Sequence, residues 1–149
     1  MSLLIQINEE IKNAMKAKQT QKLDALRAVK SALLLAQTES GAKEELSKDD
    51  EIKLLQKLIK QRKESARIYQ QQGREDLANT ELEQASTIEQ FLPKQLSTSE
   101  IEQIIEQIIS ESKENGIAQM GDIMRIATQR MMGQADGKTI SDIVREKLA

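Results

Sequence analysis

Five basic side chains recur every three or four residues between positions 53 and 67, which is the spacing of one helix face. They are Lys53, Lys57, Lys60, Lys63 and Arg67, called the basic row below. On a helical wheel they cover about one third of the circumference, interrupted by Glu64. Spaced cations can neutralise the phosphates of an RNA backbone, although most charge rows are only solvated faces. The basic row is therefore a candidate RNA-binding surface.

A second candidate is the turn bounded by Gly133 and Gly137, which precedes an amphipathic segment. Backbone N–H groups at a helix N-terminus can bind phosphate, and those of residues 136–138 would lie there. Nearby cations that could add phosphate contacts are Arg125, Arg130 and Lys138. Because no strand precedes the glycines, the turn is neither a Walker A motif nor a dinucleotide fingerprint. A plain helix–helix turn with Asp136 as N-cap also explains it.

Catalytic groups are scarce in this chain. It contains no Cys and no His, which removes the thiol nucleophile, the disulfide, the commonest general base and the commonest metal ligand. Ser110 and Lys113 have Ser-x-x-Lys spacing, but on a predicted solvated face and without the companion motifs. The carboxylates stand at helix starts or on exposed faces. We therefore expect no catalytic residues, no cofactor and no metal site.

Composition favours helices as the elements that position these groups. The 149 residues are 38% hydrophobic and 31% charged, with a formal net charge of −2. Tyr69 and Phe91 are the only aromatics, so the core must consist of Leu, Ile, Ala and Met, which suits helix-on-helix packing. Since the whole chain is nearly neutral, any RNA contact must come from local clusters of charge.

The hydrophobic period predicts seven helices and no strand. Ser47 and Ser97 are predicted N-caps, each followed by an acid three residues on, as in a capping box. Gly41, Gly73 and Gly116 are predicted to end the second, third and fifth helices. The third and fourth helices should form an antiparallel pair around Gly73. The fourth helix is expected to turn Leu82, Ala85 and Ile88 inward.

The single proline, Pro93, predicts a division of the chain, because it disfavours helix in the preceding residue and cannot continue the hydrogen-bond ladder. We expect an N-terminal helical domain over residues 1–92 and a three-helix domain over residues 93–149. The N-terminus lacks a basic segment followed by an apolar stretch, and no apolar run approaches the length of a membrane span. With the absence of Cys, this predicts a cytoplasmic protein that does not contact membranes.

Several short motifs occur in a distinctive order. They are Gln61-Arg-Lys-Glu-Ser65, Gly73-Arg-Glu-Asp-Leu77, Phe91-Leu-Pro-Lys-Gln-Leu96, Met120-Gly121 and Gly133-Gln-Ala-Asp-Gly137. By these motifs the chain resembles the bacterial-type YqeY family over nearly its whole length. Its last part is similar to the tail of the B subunit of the tRNA-dependent amidotransferase. In one departure, Gln134 stands where the family usually carries Lys.

The resemblance implies an all-α protein, with a helical hairpin domain followed by a small three-helix tail. In the amidotransferase that tail belongs to the machinery that recognises tRNA, while other domains carry the chemistry. One hypothesis is therefore a non-catalytic tRNA-binding or adaptor protein, with tRNA or a translation-related protein as its partner. Family likeness also suggests a component of a carbon–nitrogen ligase that uses glutamine as amide donor. A third hypothesis is a protein–protein interaction module.

Overall fold

A computed structural model describes residues 2–39, 46–116 and 119–149. Every regular element in these ranges is a helix, which confirms the predicted all-α class. The helices are α1 (Leu3–Lys16), α2 (Thr20–Glu39), α3 (Lys48–Gln71), α4 (Glu75–Glu89), α5 (Thr98–Glu114), α6 (Met120–Arg130) and α7 (Gly137–Leu148). The predicted helix end at Gly41 lies outside the described residues.

The chain divides into two compact units, Met1–Leu92 and Pro93–Ala149. They are called the N-terminal unit and the C-terminal unit. The N-terminal unit contains α1 to α4, and the C-terminal unit contains α5 to α7. Each unit has its own cluster of buried apolar side chains.

The first two helices of the N-terminal unit are joined by a tight turn at Lys18. The Gln19 N–H donates to the Ala14 carbonyl at 3.0 Å, and the Lys18 N–H donates to the Met15 carbonyl at 3.2 Å. This is a Schellman pattern, which needs a left-handed residue after the helix. Lys18 occupies that position with φ of 56°, where glycine would be less strained.

α3 and α4 form the predicted antiparallel pair. The Ser47 side chain accepts the Asp50 N–H at the start of α3, as predicted for its cap. α3 ends at a left-handed Gly73 with φ of 75°, and the Arg74 N–H donates to the Tyr69 carbonyl at 2.8 Å. The chain then turns directly into α4, which leaves the two helices side by side.

The core of the N-terminal unit differs from expectation at one position of α4. Ala85 and Ile88 are buried as expected, but 38% of Leu82 is exposed, so its predicted inward position is wrong. On a helical wheel Leu82 lies about 70° from the centre of the face formed by Ala78, Ala85 and Ile88. The centre of that face carries the small side chains of Ala78 and Ala85, and Leu82 lies at its edge.

The C-terminal unit is built on the isoleucine face of α5. Ile101, Ile105 and Ile108 are buried there against Ile123 of α6 and Ile140 of α7. At the start of α5 both hydrogen bonds of the predicted capping box are present. The Ser97 N–H donates to the Glu100 carboxylate at 3.0 Å, and the Glu100 N–H donates to the Ser97 hydroxyl at 3.2 Å.

Candidate nucleic-acid interface

The turn from Gly133 to Gly137 is held by the segment that follows Pro93. The Leu96 N–H donates to the Gln134 carbonyl at 2.9 Å, and the Gln95 side-chain amide donates to the Gly133 carbonyl at 2.6 Å. In the opposite direction, the Gln134 amide donates to the Lys94 carbonyl at 3.4 Å. The motifs of both segments are visible in the sequence, but nothing local in either one predicts this pairing, since the bonded residues are 38 and 40 positions apart.

Gly133 and Gly137 have different structural roles in this turn. Gly133 has φ of 76°, a left-handed conformation that favours glycine. Gly137 is the first residue of α7, and a Cβ atom added to it would meet nothing within 4 Å. The backbone conformation therefore favours glycine at position 133, but the fold places no steric demand for it at position 137.

The N-terminus of α7 already has a carboxylate cap. Asp136 accepts the Thr139 N–H at 2.7 Å and the Thr139 hydroxyl at 3.0 Å. This is the N-cap arrangement that the sequence offered as the alternative to phosphate binding. A phosphate at the N–H groups of residues 136–138 would approach the Asp136 charge, so cations nearby would have to offset that repulsion.

The three candidate cations of the C-terminal unit are exposed, and two of them have acidic partners. The Arg125 guanidinium lies 3.6 Å from the Asp122 carboxylate, within α6. The Arg130 guanidinium lies 3.5 Å from the Glu111 carboxylate of α5. Lys138 forms no ion pair with any residue that the structure describes. Exposed pairs of this kind contribute about 1 kcal/mol or less, so a phosphate can compete for either arginine.

The basic row of α3 is exposed along its whole length, but it separates into two parts. Lys63 forms an ion pair with Glu89 of α4 at 2.8 Å, and Arg67 forms a two-bond pair with Glu64. The remaining members, named the lysine triplet, have no ion-pair partner among the described residues. They are Lys53, Lys57 and Lys60.

Electrostatics within the row agree with this separation. The hydrogen bond from Arg67 lowers the pKa of the Glu64 carboxyl, with smaller contributions from the charges of Arg67 and Lys60. The same hydrogen bond raises the pKa of Arg67. The acid that interrupts the row is thus hydrogen-bonded to Arg67, and it also interacts electrostatically with Lys60, with which it forms no ion pair.

The serine and lysine with catalytic spacing are both exposed on α5. The hydroxyl of Ser110 and the ammonium of Lys113 share no hydrogen bond, and it is Ser112 that α5 turns toward the core. Over residues 2–39, 46–116 and 119–149, no group of three or more acidic side chains is placed to hold a metal ion. In the same ranges no helix is long and apolar enough to cross a membrane.

These features define a class: an all-α protein of two small units with cations on exposed helix faces. Comparison with known proteins identifies the family within this class. The family model described as Yqey-like protein matches residues 4–148, and the chain belongs to that family. This confirms the resemblance inferred from the motifs, including the likeness of its C-terminal part to an amidotransferase tail.

Two kinds of relative are similar to the chain. Altered inheritance of mitochondria protein 41, mitochondrial, from Clavispora lusitaniae is 31% identical over 116 residues, covering 76% of this chain and 66% of that protein. The E subunit of glutamyl-tRNA(Gln) amidotransferase is 42% identical over 57 residues in Thermococcus sibiricus and 44% over 59 in Methanocaldococcus jannaschii. Those matches cover 36% and 37% of this chain, but only 9% of either archaeal protein. Because the fungal relative is named as a mitochondrial protein, the cytoplasmic location of this protein stays a prediction.

Proposed function

We propose that this protein is a non-catalytic RNA-binding protein whose C-terminal unit recognises tRNA. One observation carries the proposal: a third of the chain is 42% identical to part of an archaeal protein named for glutamyl-tRNA(Gln). The shared segment is small relative to that archaeal protein. A segment of this kind fits recognition of the nucleic acid better than the chemistry of amide transfer.

The surface of the C-terminal unit supports this assignment. Arg130 and Lys138 lie at the two ends of the segment that joins α6 to α7, and both are exposed. Structured RNA is recognised mainly through its shape, its 2′-hydroxyl groups and its phosphates, so a few placed cations suffice in a nearly neutral protein. Arg125, five residues before Arg130 on α6, is the third candidate contact.

In this proposal residues 1–92 and 93–149 are separate functional domains. The second carries tRNA recognition, and the first presents the basic row of α3. A role as an adaptor, with a translation-related protein bound at the same time, is compatible with this division.

The second candidate function is a component of glutamine-dependent amide transfer, which the names of the archaeal relatives favour. Acyl transfer from glutamine needs an activated nucleophile with a positioned base and an oxyanion hole. The chain has no Cys and no His, and its Ser110 and Lys113 side chains are both exposed. We therefore propose that any contribution to such an enzyme is binding and not turnover.

A fluorescence anisotropy titration of labelled tRNA with the purified full-length chain tests the proposal. With about three to five phosphates neutralised, the slope of log affinity against log salt should be roughly −2 to −4. A glutamine hydrolysis assay on the same preparation should show no turnover. Absence of tRNA binding at low salt would reject the RNA-binding function. Glutaminase activity that survives repurification and is lost on changing one serine would support the enzymatic alternative instead.

A further inference from the structure

The lysine triplet is an exposed positive surface on the N-terminal unit. Lys53, Lys57 and Lys60 all lie on the solvent side of α3. At a rise of 1.5 Å per residue, their Cα atoms span about 10.5 Å along the helix axis. None of them has an ion-pair partner in the described part of the chain.

The acids nearest to the triplet along α3 do not neutralise its centre. Asp49 and Asp50 lie in the first turn of α3, four and three residues before Lys53, where their charges interact favourably with the helix dipole. Glu64, one turn after Lys60, is held by two hydrogen bonds from Arg67. On the side of α3 that faces α4, Lys63 already forms an ion pair with Glu89. The positive charge is therefore least compensated at Lys57, which has no acid three or four positions away on α3, while Glu64 also interacts with Lys60.

This arrangement is unfavourable for the helix by itself. Lys53 and Lys57 are four residues apart, and Lys57 and Lys60 are three apart, so each pair faces its neighbour on the helix surface. Like charges at these spacings repel and destabilise a helix. An anionic partner that bridges the three ammonium groups would relieve the repulsion.

We propose that the lysine triplet is a second RNA contact of this protein, which binds the phosphodiester backbone. The inference rests on the proposed function, because it assigns an additional surface to the same ligand class. Charge complementarity supports RNA as the occupant. Phosphate neutralisation needs only cations spaced along the backbone, and the three ammonium groups recur along one exposed helix face.

The triplet has the chemistry for backbone contact but not for base recognition. Ammonium groups bind phosphates as point charges and carry no sequence information. The two aromatic side chains of the protein, Tyr69 and Phe91, are both half-buried and lie outside the triplet. Binding at this surface therefore depends strongly on salt and little on sequence.

The test compares two full-length triple variants with the same change in charge. The first replaces the triplet: Lys53→Gln, Lys57→Gln and Lys60→Gln. The control replaces three other exposed lysines of the N-terminal unit, which also lack ion pairs with described residues: Lys12→Gln, Lys16→Gln and Lys18→Gln. Each variant is titrated with labelled tRNA and with a labelled polyglutamate peptide at several salt concentrations, after its helix content is checked by circular dichroism.

The triplet variant should lose on the order of tenfold in tRNA affinity at low salt, and its salt slope should fall by about 2 to 3. The control variant should change little in tRNA affinity and in salt slope. If wild type binds tRNA and the two variants weaken equally, or neither weakens, the triplet is not a contact, while the proposed function stands. If wild type does not bind tRNA, both proposals fail. Triplet-dependent binding of polyglutamate without tRNA binding would assign the surface to an acidic protein segment and overturn the inference.

Discussion

The side-chain amide of Gln95 donates a hydrogen bond to the carbonyl of Gly133 at 2.6 Å, across 38 positions of the chain. The same amide lies 3.0 Å from the carbonyl of Pro93, so one side chain connects the beginning of the C-terminal unit to the turn before α7. The Leu96 N–H reinforces the connection through the Gln134 carbonyl. This joins two motifs of the Yqey-like sequence, 91–96 and 133–137, into one structural feature.

Removing the Gln95 side chain should destabilise the C-terminal unit. Gln95→Ala leaves the carbonyl of the buried Gly133 without this donor, and a lost hydrogen bond of that kind costs about 1 to 2 kcal/mol. The measurement is the free energy of unfolding by urea titration. Gln103→Ala is the matched control, since Gln103 is an exposed glutamine of the same unit without a hydrogen bond to any described residue. Equal stability of the two variants would contradict the role of Gln95.

Two glycine substitutions should have opposite effects. Gly73 has φ of 75° and open space around a would-be Cβ, so Gly73→Ala should cost about 1 to 2 kcal/mol from backbone strain alone. Gly121 lies in α6 with equally open space and without a positive φ, so Gly121→Ala should stabilise by up to about 1 kcal/mol. Thermal unfolding followed by circular dichroism measures both. A Gly73→Ala protein that melts at or above wild type would show that the turn does not need its left-handed residue.

Stability should depend on pH through the capping box of α5. The hydrogen bond from the Ser97 N–H is the largest cause that lowers the pKa of Glu100. Because the folded-state pKa lies below the unfolded value, the stabilisation is present above that unfolded pKa and is lost as pH falls through the folded one. Glu100→Ala should therefore lower the melting temperature at pH 7 and have a much smaller effect near pH 3. A melting difference that is constant from pH 7 to pH 3 would exclude this linkage.

Local signals predicted most of the fold. The caps at Ser47 and Ser97 and the stops at Gly73 and Gly116 depend on side chains and backbone within a few residues, so they are visible in the sequence. Leu82 was misplaced because it lies at the edge of the apolar face, where neighbouring helices and not periodicity decide burial.

The candidate interface was less predictable, because its electrostatics depend on contacts between distant residues. Spacing alone gave the five members of the basic row, but it could not show that Lys63 pairs with Glu89, 26 positions later on α4. The pairing of Arg130 with Glu111 and the hydrogen bond of Gln95 with Gly133 are likewise made between elements. Which cations remain unpaired is a property of helix packing.

In the C-terminal unit, the double variant Arg130→Ala with Lys138→Ala should weaken tRNA binding without unfolding the protein. Both side chains are exposed, and the pair that Arg130 forms with Glu111 is a solvent-exposed one, so its loss costs little stability. Two lost phosphate contacts should reduce the salt slope by about 1 to 2 and lower the affinity several-fold. The measurement is the same anisotropy titration of labelled tRNA over a range of salt concentrations.

The matched control for that variant is Arg145→Ala with Lys147→Ala, in the last turn of α7. It removes the same charge from the same unit, and it also breaks exposed ion pairs, with Asp142 and Glu106. If the cations beside the turn contact RNA, only the first variant should lose affinity and salt slope, while both retain the helix content of wild type. Equal loss of affinity in the two variants would mean that tRNA binding depends on the net charge of the C-terminal unit. The turn between α6 and α7 would then have no special part in recognition.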